Sequence, residues 1–309
     1  MATIVSARPV GQPPAFVPPG GNGSRYLRRF PTFAVPALIW YALFTIGPVI
    51  AMFVIGLLEW PGMLATPSWT GLGNFATVLA DDVFWKAVRT SAVQIVVGLP
   101  IMIGCAFLLA FHVVRKPRGH RVLRYLLFIP ALISAPAKAM VFYALLAPNG
   151  LLNGLLDVIG LNAGNAWLAN PTTALPSLIA IDLWSGIGYS AVLIAARLDS
   201  VSAEVVEAAR MDGAGSWRLA WGIYFPIARD FVGVVAMLQF LSILFSSAQN
   251  VLLLTRGGPG TATTTLSYLI YQKAFVEGDL GYSQAVGVAL FVLGLIGMFG
   301  IRRVLSATH

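Results

Sequence analysis

Charge is scarce in this sequence. Asp, Glu, Lys and Arg make up 10% of its 309 residues, where a soluble domain carries about 25%, and 58% of the residues are hydrophobic. That deficit excludes a water-soluble globular domain and assigns the chain to the lipid bilayer. Cysteine is nearly missing as well. Cys105 is the single one and lies in an apolar run, so neither an internal disulfide nor a thiolate metal site can form within one chain. The 3 histidines, His112, His120 and His309, are too scattered for a metal site. No G-x-x-x-x-G-K-[ST] phosphate loop occurs. The nearest glycine cluster, Gly20-Gly21-Asn22-Gly23-Ser24, lacks the lysine and sits in a tail rather than after a strand. H-E-x-x-H, G-x-S-x-G and paired carboxylates within the apolar runs are also absent. The chain therefore offers no catalytic set, and any uphill transport must draw its energy from a partner or an ion gradient.

What is present is a series of apolar runs. They cover residues 33–58, 92–114, 123–147, 174–196, 231–254 and 282–305, each long enough to cross a hydrocarbon core of roughly 30 Å. The fold expected is all-α: a polytopic domain of six transmembrane helices over 33–305. Residues 1–32, rich in Pro, Gly and Arg and without an apolar core, read as a disordered tail rather than a signal peptide, and 306–309 as a short C-terminal tail.

The net charge of +8 reflects topology rather than nucleic-acid binding. Arg8, Arg25, Arg28 and Arg29 precede the first run. Arg115, Lys116, Arg118, Arg121 and Arg124 lie between the second and third, Arg197, Arg210, Arg218 and Arg229 between the fourth and fifth, and Arg302 and Arg303 at the end of the last. The alternate loops hold only Lys86, Arg89, Arg256 and Lys273. The positive-inside rule then puts both termini in the cytoplasm. Trp60, Trp69, Trp85 and Trp167 fall in or beside the outside loops, as interfacial anchors do.

One cytoplasmic stretch, residues 201–226, stands out (VSAEVVEAARMDGAGSWRLAWGIYFP). Glu204, Glu207 and Arg210, spaced three apart, share a flank of a short amphipathic helix. Ser202 suits its N-cap. Gly213 and Gly215 permit a change of direction, and Pro226 marks entry into the next run. Glu207-Ala208-Ala209, with Asp212-Gly213-Ala214 and then Ile223-x-x-Pro226, resembles the EAA loop of ATP-binding-cassette importer permeases. Two positions depart from that pattern: Phe225 stands where Leu is usual, and Ser202 where Pro is common. Thr255-Arg256-Gly257-Gly258-Pro259 with Thr263 to Leu266, together with Trp69-Thr70-Gly71-Leu72-Gly73-Asn74-Phe75, is similar to the carbohydrate uptake permeases of the maltose and glycerol-phosphate kind.

The resemblance implies a type I importer permease fold and a sugar or sugar-like solute carried across the inner membrane of a prokaryote. It implies a second homologous permease, an ATPase dimer that binds ATP and Mg, and an extracytoplasmic solute-binding protein, with no cofactor in this chain. Glu204, Glu207, Ala208, Ala209, Arg210, Asp212, Gly213, Ile223 and Pro226 would then form the dock for the ATPase. A self-contained secondary transporter or channel is the alternative, although such proteins show coupled charges and inverted repeats.

A solute path must be lined by groups that are costly to leave in lipid. Candidates within the spans are Lys138 and Tyr143 on the third, Asp182, Trp184 and Tyr189 on the fourth, and Gln239, Ser242, Ser246 and Asn250 on the fifth. Each could equally serve as glue between helices. Lys138 and Asp182 could pair, or Lys138 could snorkel. A neutral oligosaccharide, a monosaccharide and a phosphorylated polyol all remain open as the solute.

Overall fold

The computed structural model describes residues 34–62, 64–161 and 164–305; the tails expected at 1–32 and 306–309 lie outside them. Contacts divide the chain between Ala51 and Met52 into two compact units. The described part of the first unit is helical, with a widened π turn at Ala42–Ile46, and belongs to helix α1, Ala34–Gly56.

In the second unit a pair of antiparallel two-residue strands, β1 (Leu58–Glu59) on β2 (Ser68–Trp69), leads to α2, Gly73–Ala80. Asn74 ties this corner down by donating to the carbonyls of Gly56 and Leu58 at 2.9 and 2.8 Å. Helix α3 runs over Asp82–Val114, starting earlier than the apolar run at 92 suggested. Asp81 caps it by accepting from the Val83 N–H at 2.7 Å. Its first turns, which carry Lys86 and Arg89, are amphipathic and bury Phe84, Ala87, Thr90 and Ser91. Charge thus disguised a helical extension as a loop. At 33 residues and 1.5 Å per residue, α3 is about 50 Å long, well beyond the hydrocarbon core.

The third apolar run is not one straight span. It forms α4, His120–Leu132, and α5, Ala135–Leu145, bent by 97°. Ile133 and Ser134 adopt extended backbone at the break. Pro130 inside α4 and Pro136 in the first turn of α5 both lack the N–H that a continuous helix would use. Among the described residues, counting this bent pair as one span gives the expected six; counting unbroken helices gives 5.

Helix α6, Leu151–Val158, lies in the loop that follows. Helix α7 covers Ala174–Leu198 and α8 covers Ala203–Met211. Helix α9 is unbroken from Ser216 to Leu254, so Ile223 and Pro226 belong to a helix and not to a loop. A π turn at Ala220–Tyr224 precedes Phe225 and Pro226, and its wider winding accommodates the missing proline N–H. Helix α10, Leu266–Tyr271, winds into a π turn at Gln272–Val276, and α11 is Leu280–Leu305.

Helices α3, α7 and α9 form the centre of this unit. Phe107, Ile194, Leu198, Val206, Leu219 and Val232 pack together at the arginine-rich end. Met102, Phe240, Leu266, Leu269 and Val286 make a second core. Close approach of α4 to α7 depends on Gly188, where any Cβ would collide with the carbonyl of Leu127. The arginine-rich end is tied together by Arg124 to Asp199, Arg197 to the carbonyl of Ile227, and Arg229 to the carbonyl of Val304.

Candidate functional site

A cavity of about 500 Å³ opens where the third span breaks. The end of α4 and start of α5 supply Pro130, Ala131, Ile133, Ala135 and Lys138. Helix α7 adds Asp182, Ser185, Gly186 and Tyr189, and α9 adds Gln239, Ser242, Ser246, Ser247, Gln249 and Asn250. Spacings of three, four and seven residues align these groups on one face of each helix. Polar walls of this kind are costly in lipid and need partners.

The partners are specific. Asn250 donates to Oδ1 of Asp182, and Gln94 on α3 donates to its Oδ2 at 3.4 Å. Lys138 donates to Oγ of Ser185 at 3.4 Å, not to the Asp182 carboxylate. Ser185 is one helical turn from Asp182, so the ammonium and the carboxylate line the same stretch of the cavity wall. Gln239 donates to the buried Ser190 at 2.8 Å. Tyr189 stacks on Phe128 with ring centres 6.2 Å apart. Ser247 joins Ser267 at 2.8 Å and Thr265 at 3.1 Å, linking the cavity wall to the start of α10.

Of the path candidates, Lys138, Asp182, Tyr189, Gln239, Ser242, Ser246 and Asn250 meet at this cavity. Tyr143 and Trp184 do not. Tyr143, five residues beyond Lys138, lines a second cavity of about 380 Å³ with Leu146, Pro148, Leu254, Gly258 and Pro259. Trp184, two residues beyond Asp182, points off the polar stripe and meets Phe142 edge-on at 5.2 Å. Gln94 was missed by the sequence reading. It is only 2% exposed, and its Oε1 has no hydrogen-bond partner. Its signal was a lone amide within the second apolar run.

The second region is the stretch at the arginine-rich end. Helix α8 buries Val206 in the core below it, with Ala209 and Ala214 packed alongside. Glu204, Glu207, Ala208, Arg210, Asp212 and Gly213 are exposed. The nine residues of the helix thus sit on the core by one face and leave a charged face free of it. The two alanines separate, Ala208 outward and Ala209 inward. Ser202 occupies the N-cap, but its side chain makes no capping hydrogen bond. The C-terminus closes as a Schellman motif. The N–H of Ala214 bonds the carbonyl of Ala209 at 2.9 Å and that of Gly213 bonds Arg210 at 3.0 Å. Gly213 has φ +76°, a left-handed conformation in which glycine avoids a Cβ penalty.

Ile223 and Pro226 lie beyond this motif on α9. Phe225 turns into the body, edge-on to Phe107 at 5.3 Å and against Trp221 at 5.2 Å. Its departure from the usual Leu is therefore a matter of internal packing.

Residues 102–307 match the family model described as binding-protein-dependent transport system inner membrane component. The chain is 31% identical over 269 residues to the probable ABC transporter permease protein YurN of Bacillus subtilis, covering 85% of this chain and 91% of that one. It is 30% identical over 302 residues to the diacetylchitobiose uptake system permease protein NgcF of Streptomyces coelicolor, covering 90% and 85%. Its fold matches a crystal structure of a bacterial ABC transporter involved in the import of the acidic polysaccharide alginate, with a TM-score of 0.78, 21% identity and coverage of 91% and 96%.

Proposed function

We propose a function from the premise that this chain belongs to the family of binding-protein-dependent transport system inner membrane components: it is the permease subunit through which an ABC importer moves a sugar or sugar-like solute across the cytoplasmic membrane. The observation that carries the solute path is the polar cavity at the break of the third span. Hydroxyls and amides from α7 and α9 suit a ring bearing many hydroxyl groups, and Tyr189 adds an aromatic face. The relative named for diacetylchitobiose uptake supports a carbohydrate as the solute.

In this reading the arginine-rich end faces the cytoplasm, with both termini on that side. The exposed face of α8, with Glu204, Glu207, Ala208, Arg210, Asp212 and Gly213, docks on an ATPase dimer that binds the ATP and Mg. Ile223 and Pro226 transmit the motion through the start of α9, and Ala209 anchors α8 to the body it must move. The sequence has no phosphate loop of its own, so this chain contributes transport and not hydrolysis. A second, homologous permease completes the pore, and an extracytoplasmic binding protein delivers solute. Alternating access follows: closure of the ATPase pair displaces α8, and the helices around the cavity rock to expose it to the opposite side.

Affinity purification of the tagged chain from native membranes tests this assembly. An ATPase and a second permease should come with it. Transport by this chain alone, with no ATPase attached, would overturn the reading in favour of a secondary transporter.

A further inference from the structure

The cavity wall carries two formal charges among the described residues that line it, Lys138 and Asp182. They come from different elements, α5 and α7, and are held separately. Asp182 is fixed from two further helices by the amides of Gln94 and Asn250. Lys138 is held by Ser185. Amide donors satisfy a carboxylate without neutralising it, and a hydroxyl does the same for an ammonium. The formal charges of the wall therefore cancel while each remains available at the surface of the cavity.

We propose that Lys138 and Asp182 together set the charge of the solute, making the cavity selective for an uncharged ring over both its anionic and its cationic counterparts. This rests on the reading above that the cavity carries solute. The cause is electrostatic. A uronate entering the cavity gains from Lys138 but is opposed by the immobile Asp182. An amino sugar meets the reverse arrangement. Each also loses its hydration on entry, and the wall offers it no net counter-charge. An uncharged ring gives up no ionic hydration and finds donors and acceptors on every side. Discrimination of this kind works by opposing the wrong solute as much as by attracting the right one. The alginate importer shares this fold at 21% identity and handles an acidic polysaccharide, so the fold itself does not dictate solute charge; residues at the cavity must.

The test uses the assembled transporter in lipid nanodiscs, without its binding protein. Three probes share one ring and differ in charge: glucose, glucuronate and glucosamine. Saturation-transfer NMR reports their relative binding. The wild type should favour glucose over both charged rings. Asp182→Asn should shift the preference toward glucuronate by about tenfold, the effect of ~1.4 kcal/mol of altered charge interaction. Lys138→Met should shift it toward glucosamine by a similar factor, and the double variant should again favour glucose. Equal or tighter binding of either charged ring by the wild type would overturn the proposal even if a variant failed to assemble. Binding of glucose with charge preferences unmoved by both substitutions would also overturn it and leave the carbohydrate reading intact. If none of the three rings binds the wild type, the cavity does not select an uncharged ring and this inference fails, while the carbohydrate reading stands on the copurification test above.

Discussion

The cavity and helix α8 both concentrate polar side chains in a chain that has few, yet they hold them in opposite ways. In the cavity the principal groups hold one another in place while still lining it: Asp182 is held by Asn250 and Gln94, Lys138 by Ser185, and Gln239 by Ser190. On α8 an apolar face anchored by Val206 rests on the core, and Glu204, Glu207 and Arg210 are exposed. Groups that satisfy each other within the fold are part of its stability. Groups on an open face contribute little to it and remain available to a partner. The first region should therefore couple function to folding, whereas the second should allow the two to be separated.

Substitutions can break that contrast in graded steps. The largest loss should come from Gly188→Val beside the cavity. The new side chain meets the Leu127 carbonyl, and forcing α4 from α7 should cost about 3 kcal/mol, read as a lower melting temperature of the purified complex. Asn250→Leu should come next. It removes an amide donor from Asp182 and should cost about 2 kcal/mol for the carboxylate left short of a partner, with weaker sugar binding. Gly213→Ala places a Cβ at φ +76° and should cost about 1 kcal/mol. That loss should be confined to the end of α8, where hydrogen exchange would detect it. Glu207→Lys should change stability by less than about 0.5 kcal/mol, as is usual for an exposed site, while abolishing transport. A drop in melting temperature for Glu207→Lys as large as that for Asn250→Leu would erase the contrast.

Sequence patterns revealed α8 better than they revealed the cavity. Glu207, Ala208, Ala209 and Gly213 lie close together in the chain, and their spacing carries over directly to the exposed helix and its Schellman end. The cavity is assembled from α4, α5, α7 and α9, and what the sequence offered there was polarity within apolar runs. That sufficed for Asp182, Tyr189, Gln239 and Asn250, but polarity alone did not separate Trp184 from them. Helical phase does, since position 184 falls off the stripe through 182, 185 and 189. The break at Ile133 and Ser134 was hidden because hydropathy is continuous across it, and hydropathy carries no record of direction. Only Pro130 and Pro136 on either side mark it. The early start of α3 was obscured by the opposite effect. Lys86 and Arg89 gave it the charge of a loop, while Phe84 and Ala87 on its other face were buried.

In the proposed assembly the exposed face of α8 carries energy from an ATPase to the cavity. The most direct test of that claim is ATP hydrolysis by the assembled transporter as solute-loaded binding protein is added. Wild-type transporter should hydrolyse ATP faster on that addition. Transporter carrying Glu207→Lys, melting at the wild-type temperature, should not respond. A full response from that variant would contradict the claim.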